Sequence, residues 1–275
     1  MMKISLSVRI VETPSKTELH VPFESLTSIA RDAGYRAVCM RASAGGIGTP
    51  ADELRQMRLQ AQQAGLAISM VTADCNVPLN NAQGPESLRD IGPSLNVAEA
   101  LGCNLIRVCM KRREDIPHAR SAADEAADRG IRLAHQCHTS SLFEEVDPML
   151  GVLGEIDRPN FGLIYEPANL MLCGQSYALD TLRRLQPHLM NVYVQNHRLD
   201  RDGPEALPTN CRGEVRYHHL DPWEDGGVDF DQVFRGLQSI GYDGYLTIHQ
   251  AQRIDTAADA RAFAVRCAEF ARPRR

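Results

Sequence analysis

The feature that most constrains the fold is a phrase that recurs along the chain: a helical pattern ends in Gly, and a β-branched or apolar run follows within a few residues. Its instances are ARDAGYRAVCM, AQQAGLAISMV, AEALGCNLIRVCM, AADRGIRLAHQC and LQSIGYDGYLTIHQ, with glycines at 34, 65, 102, 130 and 241. Each Gly suits the left-handed position just past a helix, where a side chain is strained. Intervals of roughly thirty to forty residues fit one strand-plus-helix unit, and the stretch from Gly130 to Gly241 has room for three more. With the first strand the count is eight. Alternation of this count favours a closed parallel (β/α)₈ barrel, with a doubly wound open sheet as the alternative.

The expected strands lie near Ile4 to Ile10, Ala37 to Arg41, Ala67 to Ala73, Leu105 to Met110, Arg132 to Cys137, Phe161 to Tyr165, Met190 to Gln195 and Tyr245 to His249. Leu26, Ile29, Ala30 and Ala33 follow helical spacing, as do Val233, Phe234, Leu237 and Ile240. Pro22, Pro50 and Pro148 suit first helical turns, with Thr49 and Asp147 placed as N-caps. Pro93 is expected to kink its helix or to split off a short preceding one. The segment from about 199 to 229 is rich in Gly, Pro, His and charge. It reads as one long irregular loop between the seventh and eighth strands, a lid or a subunit contact. The 275 residues are otherwise one domain, near the roughly 250 typical of a single barrel.

Composition narrows the partners. Hydrophobic residues make up 43% and charged residues 24% of the chain, as in a globular protein with a large core. A formal net charge of -5 argues against nucleic acid as a partner and leaves small molecules. The eight cysteines form no C-x-x-C pair and several sit in apolar runs, which fits buried thiols in a reducing, cytoplasmic setting. The amino terminus lacks a signal-type apolar region, and no run approaches the roughly 18 apolar residues of a membrane span. No G-x-G-x-x-G follows the first strand and no P-loop occurs, so nucleotide binding lacks its main support.

In a barrel the carboxyl ends of the strands form the functional face. The stretch FGLIYEPANL, Phe161 to Leu170, reads as a buried strand that delivers a lone carboxylate, Glu166, to that face. Neighbouring strands end in His135, Gln136, Cys137 and His138, in Gln195, Asn196 and His197, and in His249 and Gln250. A divalent cation can be held by the Glu166 carboxylate, the amide oxygens of Gln136 and Gln195 and an imidazole nitrogen of His249. Taken singly, each such residue is more often a hydrogen-bonded structural group.

The chain resembles the sugar phosphate isomerase/epimerase superfamily of xylose-isomerase-like TIM barrels over nearly its whole length. The most specific piece is GGVDFDQVFRGLQSIGYDGYLTIHQ, Gly226 to Gln250, similar to the superfamily's final helix and strand. YEPANL resembles its D-P-x-N-L strand end, and LAHQCH, Leu133 to His138, the strand that normally ends E-N-H. The resemblance implies one divalent metal, Mn, Co, Mg or Zn, held by Glu, Asp, His and Glu. Those positions fall on Gln136, Glu166, Gln195 or His197, and His249, so one carboxylate stands where the family has three. It further implies a metal-dependent isomerase or epimerase, with a lyase or dehydratase variant ranked second, that acts on a sugar, keto-sugar or cyclitol through an enolate, and a homo-oligomer, dimer or tetramer. Gln136 cannot act as a base, and a base on one face only suits elimination better than epimerisation. Glu166, His249 and Lys111 are the candidate proton carriers. His138, His197, Arg41, Arg198 and Trp223 are candidate substrate contacts, with Arg9 and Arg212 also at the rim and Arg107 a buried partner for Glu166. Trp223 is alternatively a loop anchor. A non-catalytic sugar-binding barrel is the second expectation, and an abasic-site endonuclease of the same barrel type a weaker third.

Overall fold

A computed structural model describes residues 2–72, 74–250 and 254–271. The strands, in chain order, are β1 (Lys3–Ser7), β2 (Ala37–Arg41), β3 (Ala67–Thr72), β4 (Leu105–Val108), β5 (Arg132–Gln136), β6 (Phe161–Tyr165), β7 (Leu189–Val194), β8 (Asn196–Leu199), β9 (Glu205–Thr209), β10 (Gly213–Leu220) and β11 (Tyr245–Ile248). Eight of them close a parallel barrel in the order β1-β11-β7-β6-β5-β4-β3-β2. Helices wrap the outside and bury one stripe each, as in Phe23–Asp32 with Leu26, Ile29 and Ala30 inward, and Phe230–Ser239 with Val233, Phe234 and Leu237 inward. The five repeat glycines all have positive φ, between 66° and 85°, so the punctuation that organises the sequence is a backbone requirement.

Three local differences from the sequence reading have identifiable causes, and the alternative it left open at Pro93 is decided. The first strand stops at Ser7, whose hydroxyl accepts the Arg9 amide and turns the chain into a single 3₁₀ turn, Val8–Val11. Pro93 splits rather than kinks: a one-turn helix, Glu86–Arg89, precedes Gly92–Leu101, with Pro93 in the latter's first turn. Thr49 and Asp147 are not caps, because the helices begin at Ala51 and Val146 behind Pro50 and Glu145. The stretch expected as an irregular loop is a three-stranded antiparallel sheet, β8-β10-β9, with Val215 and Tyr217 of β10 packed on Leu172 and Leu207. The expected strand end at Ala73 lies outside the described residues. No helix among the described residues is long and apolar enough to cross a membrane.

Candidate active site at the strand ends

Alternation along the strands decides what points into the barrel. Cys39, Met70, Leu105, Ala134, Ile164 and Tyr193 form one interior apolar cluster. Two residues further along the same strands, on the same side of the pleat, come Arg41, Thr72, Arg107, Gln136, Glu166 and Gln195. Ser7 and His249 complete this layer from the remaining two strands, and all eight side chains are buried. The barrel is thus greasy at mid-height and polar at the mouth.

Glu166 lies in the wall of this layer and is fully buried. The Gln136 amide donates to its Oε2, while Oε1 has no partner among the described residues. Burial pushes its carboxyl up to about 7, against the pull of the Gln136 hydrogen bond and the nearby Arg9 and Arg107 charges. A carboxyl balanced near neutrality can take or return a proton there. Among the described residues the side-chain oxygens of Gln136 and Gln195 also lack partners, as does Nδ1 of His197, whose Nε2 meets the Gln195 amide at 2.6 Å.

His249 is engaged on every side. Its ring stacks on Tyr193 with centroids 3.7 Å apart. Nδ1 lies 3.0 Å from Ser7 Oγ, and Nε2 faces Nη1 of Arg41 at 3.3 Å and of Arg9 at 3.5 Å. A guanidinium only donates, so Nε2 is the acceptor and Nδ1–H donates to Ser7. Burial and then the neighbouring arginines push this imidazole well below its ordinary value, which keeps it neutral. Arg41 is itself buried and donates from Nε to Glu12 at 2.7 Å, and Ser43 holds the same Glu12 oxygen at 2.5 Å.

The other expected site residues divide. Lys111 spends its three ammonium hydrogens on the carbonyl and side-chain oxygens of Asn80 and on the Ser140 carbonyl, so it ties loops together. Asn80 in turn holds the Thr139 carbonyl, and Lys16 holds the Pro78 carbonyl at 3.1 Å, so loops following β1, β3, β4 and β5 are laced across the mouth. His138 bonds the Thr139 carbonyl at 3.0 Å beside this lacing, and burial pushes it well below its ordinary value. His197 sits under Tyr217 and His219 of the small sheet, whereas Arg198 is on that sheet's exposed side. Arg212 donates to the Leu172 carbonyl at 3.2 Å, beneath the β9–β10 turn. Trp223 packs on Phe263 and Arg266 of the helix Ala257–Ala271, the anchoring alternative. Sequence reasoning missed Ser7, Glu12 and Tyr193. The alternation in SLS and VYVQ signalled Ser7 and Tyr193, and nothing local signalled Glu12.

The donor set does not fit the divalent ion that the resemblance implies. Three oxygens lack partners, which a cation can use, but only one is a carboxylate and its burial favours the protonated form. His249, at the last ligand position, presents its acceptor nitrogen to two guanidiniums. A hard cation needs anionic oxygens and not a rim of positive charge. Among the described residues the one compact group of His, Cys, Asp and Glu ligands is Glu144, Cys173 and Cys211. Both oxygens of Glu144 already accept backbone amides of residues 210 and 211, which pin the β9–β10 turn.

A closed eight-stranded parallel barrel with a polar layer at its strand ends defines the (β/α)₈ class. The family model described as xylose isomerase-like TIM barrel matches residues 28–267, and the chain belongs to that family. A curated inosose dehydratase of Geobacillus thermodenitrificans is 20% identical over 156 residues, 54% of this chain and 50% of that protein. The chain thus spans about half the length of the curated relatives it matches. A probable 3-DHS dehydratase from Bacillus anthracis superposes with a TM-score of 0.73 at 16% identity, covering 98% of each chain. A D-allulose 3-epimerase from Methylomonas sp. gives a TM-score of 0.71 at 17% identity, covering 100% of this chain and 98% of that one. Such structural likeness speaks for the fold, and these named relatives are enzymes.

Proposed function

We propose that the chain is an enzyme that removes a proton beside the carbonyl of a sugar- or cyclitol-derived substrate and expels a β-hydroxyl as water, with Glu166 as the base. The observation that carries this is Glu166 itself: a buried carboxyl with one oxygen free, raised to about 7. Its carboxylate takes the C–H proton, and the released electron pair forms the enolate. As the enolate collapses to a conjugated enone, the hydroxyl departs with the proton that Glu166 returns, so one group serves as base and then as acid. Arg107, whose charge acts on Glu166, supplies the positive charge that the enolate oxygen needs. Gln136 stands where a second, opposite base is required for epimerisation, and an amide cannot serve. The curated relatives, both inosose dehydratases, support elimination over isomerisation. Because the layer is buried beneath laced loops, substrate entry requires those ties to open.

The test is incubation in D₂O with an inosose, a ketohexose and a β-hydroxy-keto acid, followed by NMR. Enone formation or α-deuteration is expected with at least one of them, reduced about a hundredfold or more in Glu166→Gln. No reaction with any class, or full activity in the variant, overturns the reading. Interconversion of C3-epimeric ketoses at a useful rate overturns the elimination. A non-catalytic carbohydrate-binding barrel is the second reading, favoured by Gln136 in place of an acid, and protection from unfolding without exchange would support it.

A further inference from the structure

We propose that the arginines at the barrel mouth form an anion site, which holds a carboxylate or phosphate of the substrate where the family resemblance places a metal ion. The inference rests on the reading that this layer binds substrate, but not on Glu166 acting as the base.

The geometry is that of guanidiniums waiting for an acceptor. Arg41 and Arg9 converge on one nitrogen of His249, and Arg107 comes from the far side of the layer. Among their nitrogens, Arg9 Nε, Arg41 Nη2, and Nε and Nη1 of Arg107 are buried without a hydrogen-bond partner among the described residues. Each such orphan leaves a charged donor stripped of water with nothing in exchange. Neither nearby carboxylate makes a hydrogen bond to those nitrogens. Glu12 is held by Arg41 and Ser43, and Glu166 takes its hydrogen bond from Gln136. Lys16 reports the resulting field: burial and then Arg9, Arg41 and Arg107 push its amine down to about 8. A sugar hydroxyl accepts only one modest hydrogen bond from such donors. A carboxylate or phosphate accepts in pairs from a guanidinium fork and cancels the excess charge. His249, neutral and clamped between Ser7 and Tyr193, is a positioning residue that keeps the two guanidiniums apart and aimed.

The experiment is calorimetric titration of the full chain at neutral pH and low ionic strength with D-gluconate, D-glucose 6-phosphate, neutral D-glucitol and manganese chloride. One of the two anions is expected to bind about tenfold or more tighter than glucitol, and which one does so separates carboxylate from phosphate. Arg9→Gln, at a partly exposed position, should lose that preference, and Arg9→Lys should recover part of it. Glu166→Gln should bind the anion undiminished, so a failure of catalysis leaves this outcome readable. Equal affinity for glucitol, an unchanged preference in Arg9→Gln, or one manganese per chain that neither anion displaces would overturn the proposal. Should Arg9→Gln not fold, competition by inorganic phosphate in the wild type decides instead. Displacement of the sugar acid or sugar phosphate supports the site, and none refutes it.

Discussion

Glu166 offers the sharpest test, because its displaced carboxyl must appear in the pH dependence of stability. Below pH 4.5 the group is protonated in both folded and unfolded chains and contributes nothing. Between 4.5 and about 7 the unfolded chain ionises while the buried carboxyl does not, so the folded state loses ground over that window and the loss levels off above it. A carboxyl moved from 4.5 to about 7 makes that loss about 3 kcal/mol. The whole-protein curve will not show it plainly. Burial pushes His135 down to about 3 and holds His138, His197 and His249 well below their ordinary values. Groups with depressed values act oppositely: their stability is present above pH 6.5 and is lost as pH falls toward the folded value. The comparison of wild type with Glu166→Gln cancels the histidines. Urea denaturation at half-unit steps from pH 5 to 8 should show the variant gaining on the wild type by about 2–3 kcal/mol across the range. Parallel curves would mean that Glu166 ionises as an ordinary carboxylate, and the case for a base balanced near neutrality would fail with them.

Two further outcomes follow from packing and from the mouth. A methyl group in Gly162→Ala would overlap the His188 carbonyl and lie 2.8 Å from Met190 Cε, a backbone clash that rotamer changes do not relieve. It should cost about 2–3 kcal/mol in denaturation experiments, and a neutral effect would show the β6–β7 contact to be looser than described. Lys111→Met removes the ammonium that ties Asn80 to Ser140 and should leave residues 76–81 and 139–141 exchanging amide hydrogen faster, by about tenfold or more. Unchanged exchange there would return Lys111 to the pool of proton carriers.

The barrel was legible because its signals are local. A Gly in the left-handed region and a β-branched run after it need only a dozen residues, and the strand positions agree with expectation to within one to three residues. The sheet β8-β10-β9 was not legible, because only Leu207, Val215 and Tyr217 carry its apolar alternation and Pro208 interrupts it on an edge strand. At the site, the ring of Gln136, Glu166, Gln195 and His249 follows from strand ends alone. The role of the arginines does not. Whether Arg41 is a solvated rim charge or a buried partner of Glu12 depends on the pairing of β2 with its neighbours and on a loop 29 residues earlier, and no window of sequence contains both. Arg107 was within reach: it lies two residues after Leu105, on the face the barrel interior occupies.

Charge balance makes sense of these substitutions together. The resemblance implies three carboxylates around a dication. Here three guanidiniums stand against two carboxylates, one of them partly protonated near neutrality. Removing carboxylates alone would leave a weak metal site, and adding arginines alone would leave charges repelling a metal; both changes at once reverse the sign of the layer. His249 joins the two halves, since it replaces an acidic ligand with a neutral acceptor that two guanidiniums share. Such a layer is neutral only when it holds an anion. The proposed preference for a charged substrate would therefore belong to the same set of substitutions that makes the layer a poor metal site.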